Sequence, residues 1–276
     1  LRQTGEVKGT MPQLDKASEL LIEVWLRDSS GGTINRNRWQ VWAFPHSRCD
    51  LQGQGVRTNL TFIQNAYPGV ATLDRATMPG DAALFVTDAM TEEVVHYVES
   101  GGKVLLLSAG DLPAVRDPHC NLFRTVPYNT GSTGNMGTLI ADHPALGRFP
   151  HNGWCELQFL HLTSGIWPFD LEALKPAKID PIVRCIGHHK TMRNKAYLFE
   201  ATMGRGAFLA TTFDIARTFA ARPETQYLVD ELLRYCLSAE FKPRNELPAK
   251  FFLDRFQAKR ARGTARSWEP KRFIRE

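Results

Sequence analysis

The sequence predicts an α/β protein: a parallel sheet with helices on both faces, preceded by a β-hairpin or partial β-sandwich. Three observations carry this. Residues 81–107 read strand, helix, strand. Residues 20–43 alternate apolar and polar positions with period two. A helix from Glu224 to Ala239 carries Leu228, Leu232, Leu233, Cys236 and Leu237 on one stripe.

The hairpin comes first. In LIEVWL, Leu20, Ile22, Val24 and Leu26 share one face of a strand. Asp-Ser-Ser-Gly-Gly at 28–32 is turn chemistry, and Trp39, Val41 and Ala43 resume the alternation. Two strands cannot bury a face alone. The hairpin must pack on the rest of the chain or belong to a sandwich completed elsewhere, and it is expected to expose apolar residues such as Trp25 or Trp42.

From residue 56 the pattern changes. Thr58–Asn65 reads as a helix and 69–73 as a short strand. DAALFVTD at 81–88 reads as a buried strand. Thr91 caps a helix with Glu92 and Glu93 in its first turn, where carboxylates oppose the positive helix end. Gly101-Gly102 stops it, and KVLLLSAG is the next buried strand. Such a unit makes a parallel pair with a right-handed crossover. Residues 111–180 are rich in Pro, Gly, Asn and aromatics and read as loop. Strands are expected at 181–187 and 196–202, and a hairpin turn then a buried strand at 204–214. The expected division is 1–46 hairpin or partial sandwich, 47–245 α/β domain, 246–276 basic tail.

Charge and composition bound the function. The 276 residues are 43% hydrophobic and 23% charged, which suits one large or two modest globular domains. No run approaches the ~18 uncharged apolar residues of a membrane span. The chain begins with Leu1, which reads as a processed or excised product. Its net charge of +5 equals that of residues 254–276 alone, where eight Lys or Arg face three acids. The basicity therefore belongs to the end of the chain. A basic tail can meet nucleic acid, but it more often solubilises. The five cysteines, Cys49, Cys120, Cys155, Cys185 and Cys236, are spread and unpaired by spacing, so they form neither a disulfide framework nor a zinc ribbon.

Ser108 is the one candidate nucleophile. A nucleophile elbow reads G-x-S-x-G because glycines relieve crowding at the strained turn. Here Leu106 replaces the first glycine. His188 and His189 lack the acid expected two residues on. A serine amidase or esterase using Ser108 is thus an alternative reading, as is a nucleic-acid binder acting through the tail. His143, His151, Cys155 and His161 lie close in sequence, but their spacings match no standard metal site. No metal or other cofactor is expected. Asn129, Trp154, Gln158 and Trp167 could instead form an aromatic-and-amide platform of the kind carbohydrates favour.

Several phrases resemble a known family. WLRDSSGGTINRNRWQVWAFP resembles the closing strands of the immunoglobulin-like domain in glycoside hydrolase family 2-type, β-galactosidase-like proteins. GGKVLLLSAG, YNTGSTGNMGTLIADHPALGRFP, GWCELQFLHL, MGRGAFLATTFD and RPETQYLVDELLRYCLSAEFKP are similar, in the same order, to the α/β domain that comes next in some of them. The resemblance covers most of residues 20–245. It implies a flavodoxin-like, class I glutamine amidotransferase-like domain in an accessory region. It carries over no catalytic glutamate, since those lie in a separate TIM barrel. The amidotransferase cysteine is missing, with Ser108 near its place. The resemblance thus implies a non-catalytic role: structural, oligomerising or shaping a carbohydrate cleft. The implied partners are a glycoside hydrolase catalytic region, a second copy or a carbohydrate, without membrane. The implied location is secreted or periplasmic.

Overall fold

The computed structural model describes residues 9–10, 13–46, 49–74, 77, 79–107, 137–175, 177–186 and 193–261, with side chains as far as residue 257. Two sheets organise them. β1 (Ser18–Arg27) and β2 (Thr33–Ala43) form an antiparallel hairpin by themselves. All other strands join one nine-stranded sheet.

That sheet has two halves. β3 (Val56–Thr58), β4 (Ala71–Thr72), β5 (Leu84–Thr87), β6 (Lys103–Leu107) and β11 (Gly206–Thr211) are parallel, in the order β4-β3-β5-β6-β11. β10 (Asn194–Met203) runs antiparallel to β11 and continues through β9 (Val183–Ile186) to β7 (Thr138–Ile140). β8 (Phe169–Asp170) also pairs with β10. The sheet is therefore mixed, not wholly parallel as expected. The molecule is α/β.

The helices cover both faces. Along β6, Leu105 and Leu107 point to one cluster and Val104 and Leu106 to the other, as the period of two requires. The first cluster takes Ile63 of α1 (Thr61–Ala66) and Leu228, Leu232 and Leu233 of α5 (Pro223–Leu237). α3 (Leu160–Thr163) and α4 (Ile215–Thr218) add Leu162 and Ile215. The second takes Val94, Val95 and Val98 of α2 (Glu92–Glu99) and Phe252 of α6 (Ala249–Ala261).

Local chemistry explains the ends. Thr91 caps α2 by accepting from the Val94 N–H at 3.3 Å. Gly204 sits at φ +58° in the tight turn between β10 and β11, where a Cβ would strike the backbone of Glu99.

Two element expectations are corrected. Residues 56–58 are strand, and the helix starts at Thr61. Val56 and Thr58 pair with β5, and that tertiary pairing overrides the local pattern. Residues 249–261, inside the expected tail, are helix, with Leu247, Ala249 and Phe252 buried. The charge count there masks three phenylalanines, Phe251, Phe252 and Phe256, that pack on the second cluster.

Candidate functional site

The hairpin is set by its turn. The Asp28 carboxylate accepts from the Ser30 hydroxyl at 2.6 Å, the Gly32 N–H at 2.8 Å and the Ser30 N–H at 2.9 Å. These donors hold its pKa below the usual aspartate value, the Ser30 hydroxyl foremost. Gly31 takes φ +85°. The register then pairs Leu20 with Val41, Ile22 with Trp39, Val24 with Asn37 and Leu26 with Asn35. Residues directly opposite share a face. One face is thus Ser18, Leu20, Ile22, Val24 and Leu26 against Ala43, Val41, Trp39, Asn37 and Asn35. It contains no charged residue.

The other face carries the hairpin's charges. Glu23 forms an ion pair with Arg36 across the strands. The Arg36 guanidinium carbon lies 4.3 Å from the Trp25 ring centroid, and that of Arg27 lies 5.8 Å from it. Trp42 packs partly against the core. Trp25 is exposed as expected (44%), with arginines stacked on its ring, whereas the body partly shelters Trp42. On the uncharged face Ile22 (49% exposed), Val24 (53%), Leu26 (58%) and Trp39 (45%) are exposed, and on the other face Leu21 (55%) is too. At its base this face opens into a groove of about 960 Å³ lined by Leu20, Val41, Phe44, Pro45 and Pro223, with Asp15 and Glu224 in the lining.

The carboxyl ends of the parallel strands are where α/β sheets place ligands. Here three threonines close three strands. Thr58 donates to Val86 O at 2.9 Å and accepts from the Leu60 N–H at 3.0 Å. Thr211 donates to Tyr197 O at 2.9 Å and accepts from the Phe213 N–H at 3.0 Å. Thr87 accepts from the Ala89 N–H at 3.4 Å. Immediately after two of these strands stand Asn59 and Thr212, whose Oδ1 and Oγ1 are buried without a partner among the described residues. β3 and β11 are three strand spacings apart, about 14 Å, so these two atoms cannot grip one small ligand.

The expected site residues fall in different places. Ser108 and Asn129 lie outside the described residues, as do His188 and His189. Trp154 is 51% exposed. Gln158 is buried, its Nε2 donating to Pro150 O at 2.9 Å, so that its amide serves the loop and not a surface platform. Trp167 is partly buried. Among the described residues no three His, Cys, Asp or Glu side chains are grouped to hold a metal. His143 Nδ1 accepts from the Ala145 N–H and His151 Nδ1 from the Gly153 N–H, each binding its own loop. The Cys155 thiol is pushed up to about 12 by burial. No described helix is long and apolar enough to cross a membrane.

Residues 85–257 match one domain family. The chain belongs to DUF8487, a domain of unknown function. No curated protein matches the chain. The DUF8487 segment runs from β5 into α6 and leaves the hairpin, β3 and β4 outside it.

Within the DUF8487 segment lie buried carboxylates that motif and spacing do not single out. Glu200 of β10, 5% exposed, accepts from the Tyr235 hydroxyl at 2.7 Å. His143 Nε2 lies 3.4 Å from its other oxygen. Burial first, then this bond, pushes the Tyr235 phenol up. Asp230 of α5, 1% exposed, accepts from the Tyr67 hydroxyl at 2.7 Å. Burial and then Asp230 push the Cys49 thiol up to about 12. Glu231 accepts from the Arg148 N–H at 3.2 Å and from Arg234 at 2.6 Å. Each carboxylate joins α5 or β10 to a loop. Their signal in the sequence is an acid inside an apolar run, as in AYLFEAT.

Proposed function

We infer that this chain is a non-catalytic accessory region of a glycoside hydrolase-like protein, with the hairpin as its docking element. One observation carries the reading: an uncharged hairpin face exposes Ile22, Val24, Leu26 and Trp39 to solvent, while the opposite face carries the Glu23–Arg36 ion pair and arginines stacked on Trp25. Covering apolar surface gains about 25 cal/mol per Å². A face so divided is shaped for burial against another surface. The strand order β4-β3-β5-β6-β11, all parallel, supports a flavodoxin-like, class I glutamine amidotransferase-like body, with β10, β9 and β7 as an antiparallel extension. Trp154, exposed on its loop, is the residue best placed to shape a carbohydrate cleft.

The experiment is a hydrolysis panel of aryl glycosides, simple esters and glutamine, run with the chain and with Ser108→Ala. No turnover by either is the expected result. Turnover that disappears in Ser108→Ala would overturn the accessory reading and make the chain a serine hydrolase.

A further inference from the structure

We propose that residues 151–155 form a pH-sensitive strap over the outer edge of β7, latched by His151 and released when its imidazole gains a proton. The device lies away from the hairpin and goes beyond the accessory reading.

The edge comes first. β7 ends the nine-stranded sheet and pairs with β9 on one side. Such an edge presents backbone groups that need partners. Residues 153–155 supply them. Gly153 O accepts from the Ile140 N–H at 2.7 Å, and the Thr138 hydroxyl accepts from the Cys155 N–H at 2.7 Å. Ala141, the next residue of the chain, turns its N–H the other way, to Ile182 O at 2.9 Å. Gly153 therefore lies on the outer side of β7.

The latch is the turn at 151–153. His151 Nδ1 accepts from the Gly153 N–H at 3.3 Å, and Gly153 takes φ +89°. A neutral imidazole keeps one nitrogen free to accept, whereas the cation carries hydrogen on both. Protonation sets N–H against N–H, and the bond to Gly153 is lost. Latch and strap share that residue: its N–H meets His151 and its carbonyl holds Ile140.

The surroundings fix the direction. Burial holds the His151 ring below the ordinary value of 6.5, and Asp142, just past β7, raises it by less. Glu156, on the same loop, is bonded to Asn152 at 2.9 Å. On α5, Glu231 is engaged by the Arg148 N–H and by Arg234. Among the described residues no charge other than that of Asp142 acts on the ring. A lowered histidine pKa means that the open strap takes the proton more readily than the closed one. The hold is thus fully present above the ordinary histidine value and is lost as pH falls through the lowered one. His143 is the contrast. Its Nδ1 caps Ala145 in the same way, but its Nε2 lies 3.4 Å from the Glu200 carboxylate, which steadies the ring once it is charged.

The test is hydrogen exchange on the full chain at about pH 7.5 and about pH 5.0, an interval that spans histidine titration. Each amide's rate is divided by its unfolded-chain rate at the same pH. Protection of Ile140 and Cys155 should fall about three- to tenfold at the lower pH, the worth of one hydrogen bond, while Leu105 of β6 stays unchanged. His151→Asn offers a side-chain oxygen that accepts from the N–H two residues on and does not titrate. It should keep the strap protected at both pH values. His151→Leu offers no acceptor and should be as poorly protected at about pH 7.5 as the native chain is at about pH 5.0. Asp142→Asn removes the charge that favours the proton and should move the loss to lower pH. Leu105 protection at the higher pH shows that each variant is folded. Equal protection of the native strap at both pH values, an acid loss that persists in His151→Asn, or a loss shared by Leu105 would each overturn the proposal.

Discussion

Glu200 shows how one residue can hold several parts of this molecule. Its carboxylate sits inside a buried strand, takes the Tyr235 hydroxyl from α5, and faces His143 beside the turn at 144–146. A buried carboxylate without donors is costly, so each donor is worth more than its own bond. Tyr235→Phe removes one donor and leaves the ring packing in place. It should destabilise by about 1–3 kcal/mol in urea unfolding. A loss below about 0.5 kcal/mol would mean that the bond exchanges freely with water. The buried thiols give a second prediction. Cys49 and Cys155 are held protonated in the folded chain, with pKa values pushed up to about 12 from 9.0. Their contribution is fully present below pH 9 and is lost as pH rises through 12, because the unfolded chain ionises first. The melting temperature should therefore fall steadily across that window. Cys155→Ala should flatten the fall, and an unchanged slope would exclude that thiol as a cause. Tyr235 and Cys236, also raised mainly by burial, act in the same direction.

At the scale of elements, what the sequence reveals depends on exposure. α2 is legible because its cap, first-turn acids and closing glycines are local chemistry, and Val94, Val95 and Val98 fall on one side of it. α5 is legible from its apolar stripe. The hairpin is legible from strict alternation, and its face is divided as that alternation requires. In the antiparallel half, β9 and β10 are legible as the strands expected at 181–187 and 196–202, but their antiparallel pairing is not. β7 and β8 lie in a stretch that reads as loop and, at three and two residues, are too short to show a period. The uncharged hairpin face is half legible. The alternation marks Leu20, Ile22, Val24 and Leu26, but not the stacking of Arg27 and Arg36 on Trp25 of the other face. α6 is hidden for a different reason. Its lysines and arginines dominate the composition, while Phe252 does the anchoring, edge-on to Phe208 of β11 at 6.3 Å. Phe252→Ala should cost about 3–5 kcal/mol, as for a fully buried ring. Urea unfolding followed by circular dichroism measures this. A loss under about 1 kcal/mol would mean that the second cluster closes without α6.

At the scale of the whole molecule, the family segment and the folding unit do not coincide. The DUF8487 match begins at residue 85, yet β3 lies between β4 and β5 in the sheet. Residues 56–67 supply Val56, Leu60, Ile63 and Tyr67 to the first cluster. Thr58 donates to Val86 O, and Tyr67 donates to Asp230, which is 1% exposed. Without this segment Leu84 and Val86 lose their cover, β5 becomes a bare edge and Asp230 is left buried without its phenol. Each of the four apolar losses is worth about 1.5–3 kcal/mol, and together they are comparable to the roughly 5–15 kcal/mol of a typical domain's stability. The hairpin is the opposite case. Most of it is exposed, and the residue the body needs is Phe44, which stacks on Phe149 at 5.6 Å and meets Tyr227 at the same distance. A fragment of residues 44–257 should therefore unfold in urea as one cooperative transition with a midpoint near that of the full chain. A fragment of residues 85–257 should show no cooperative transition. If the two fragments share a midpoint, β3 and α1 contribute nothing to the core. If the 44–257 fragment fails to fold, the hairpin supports the body.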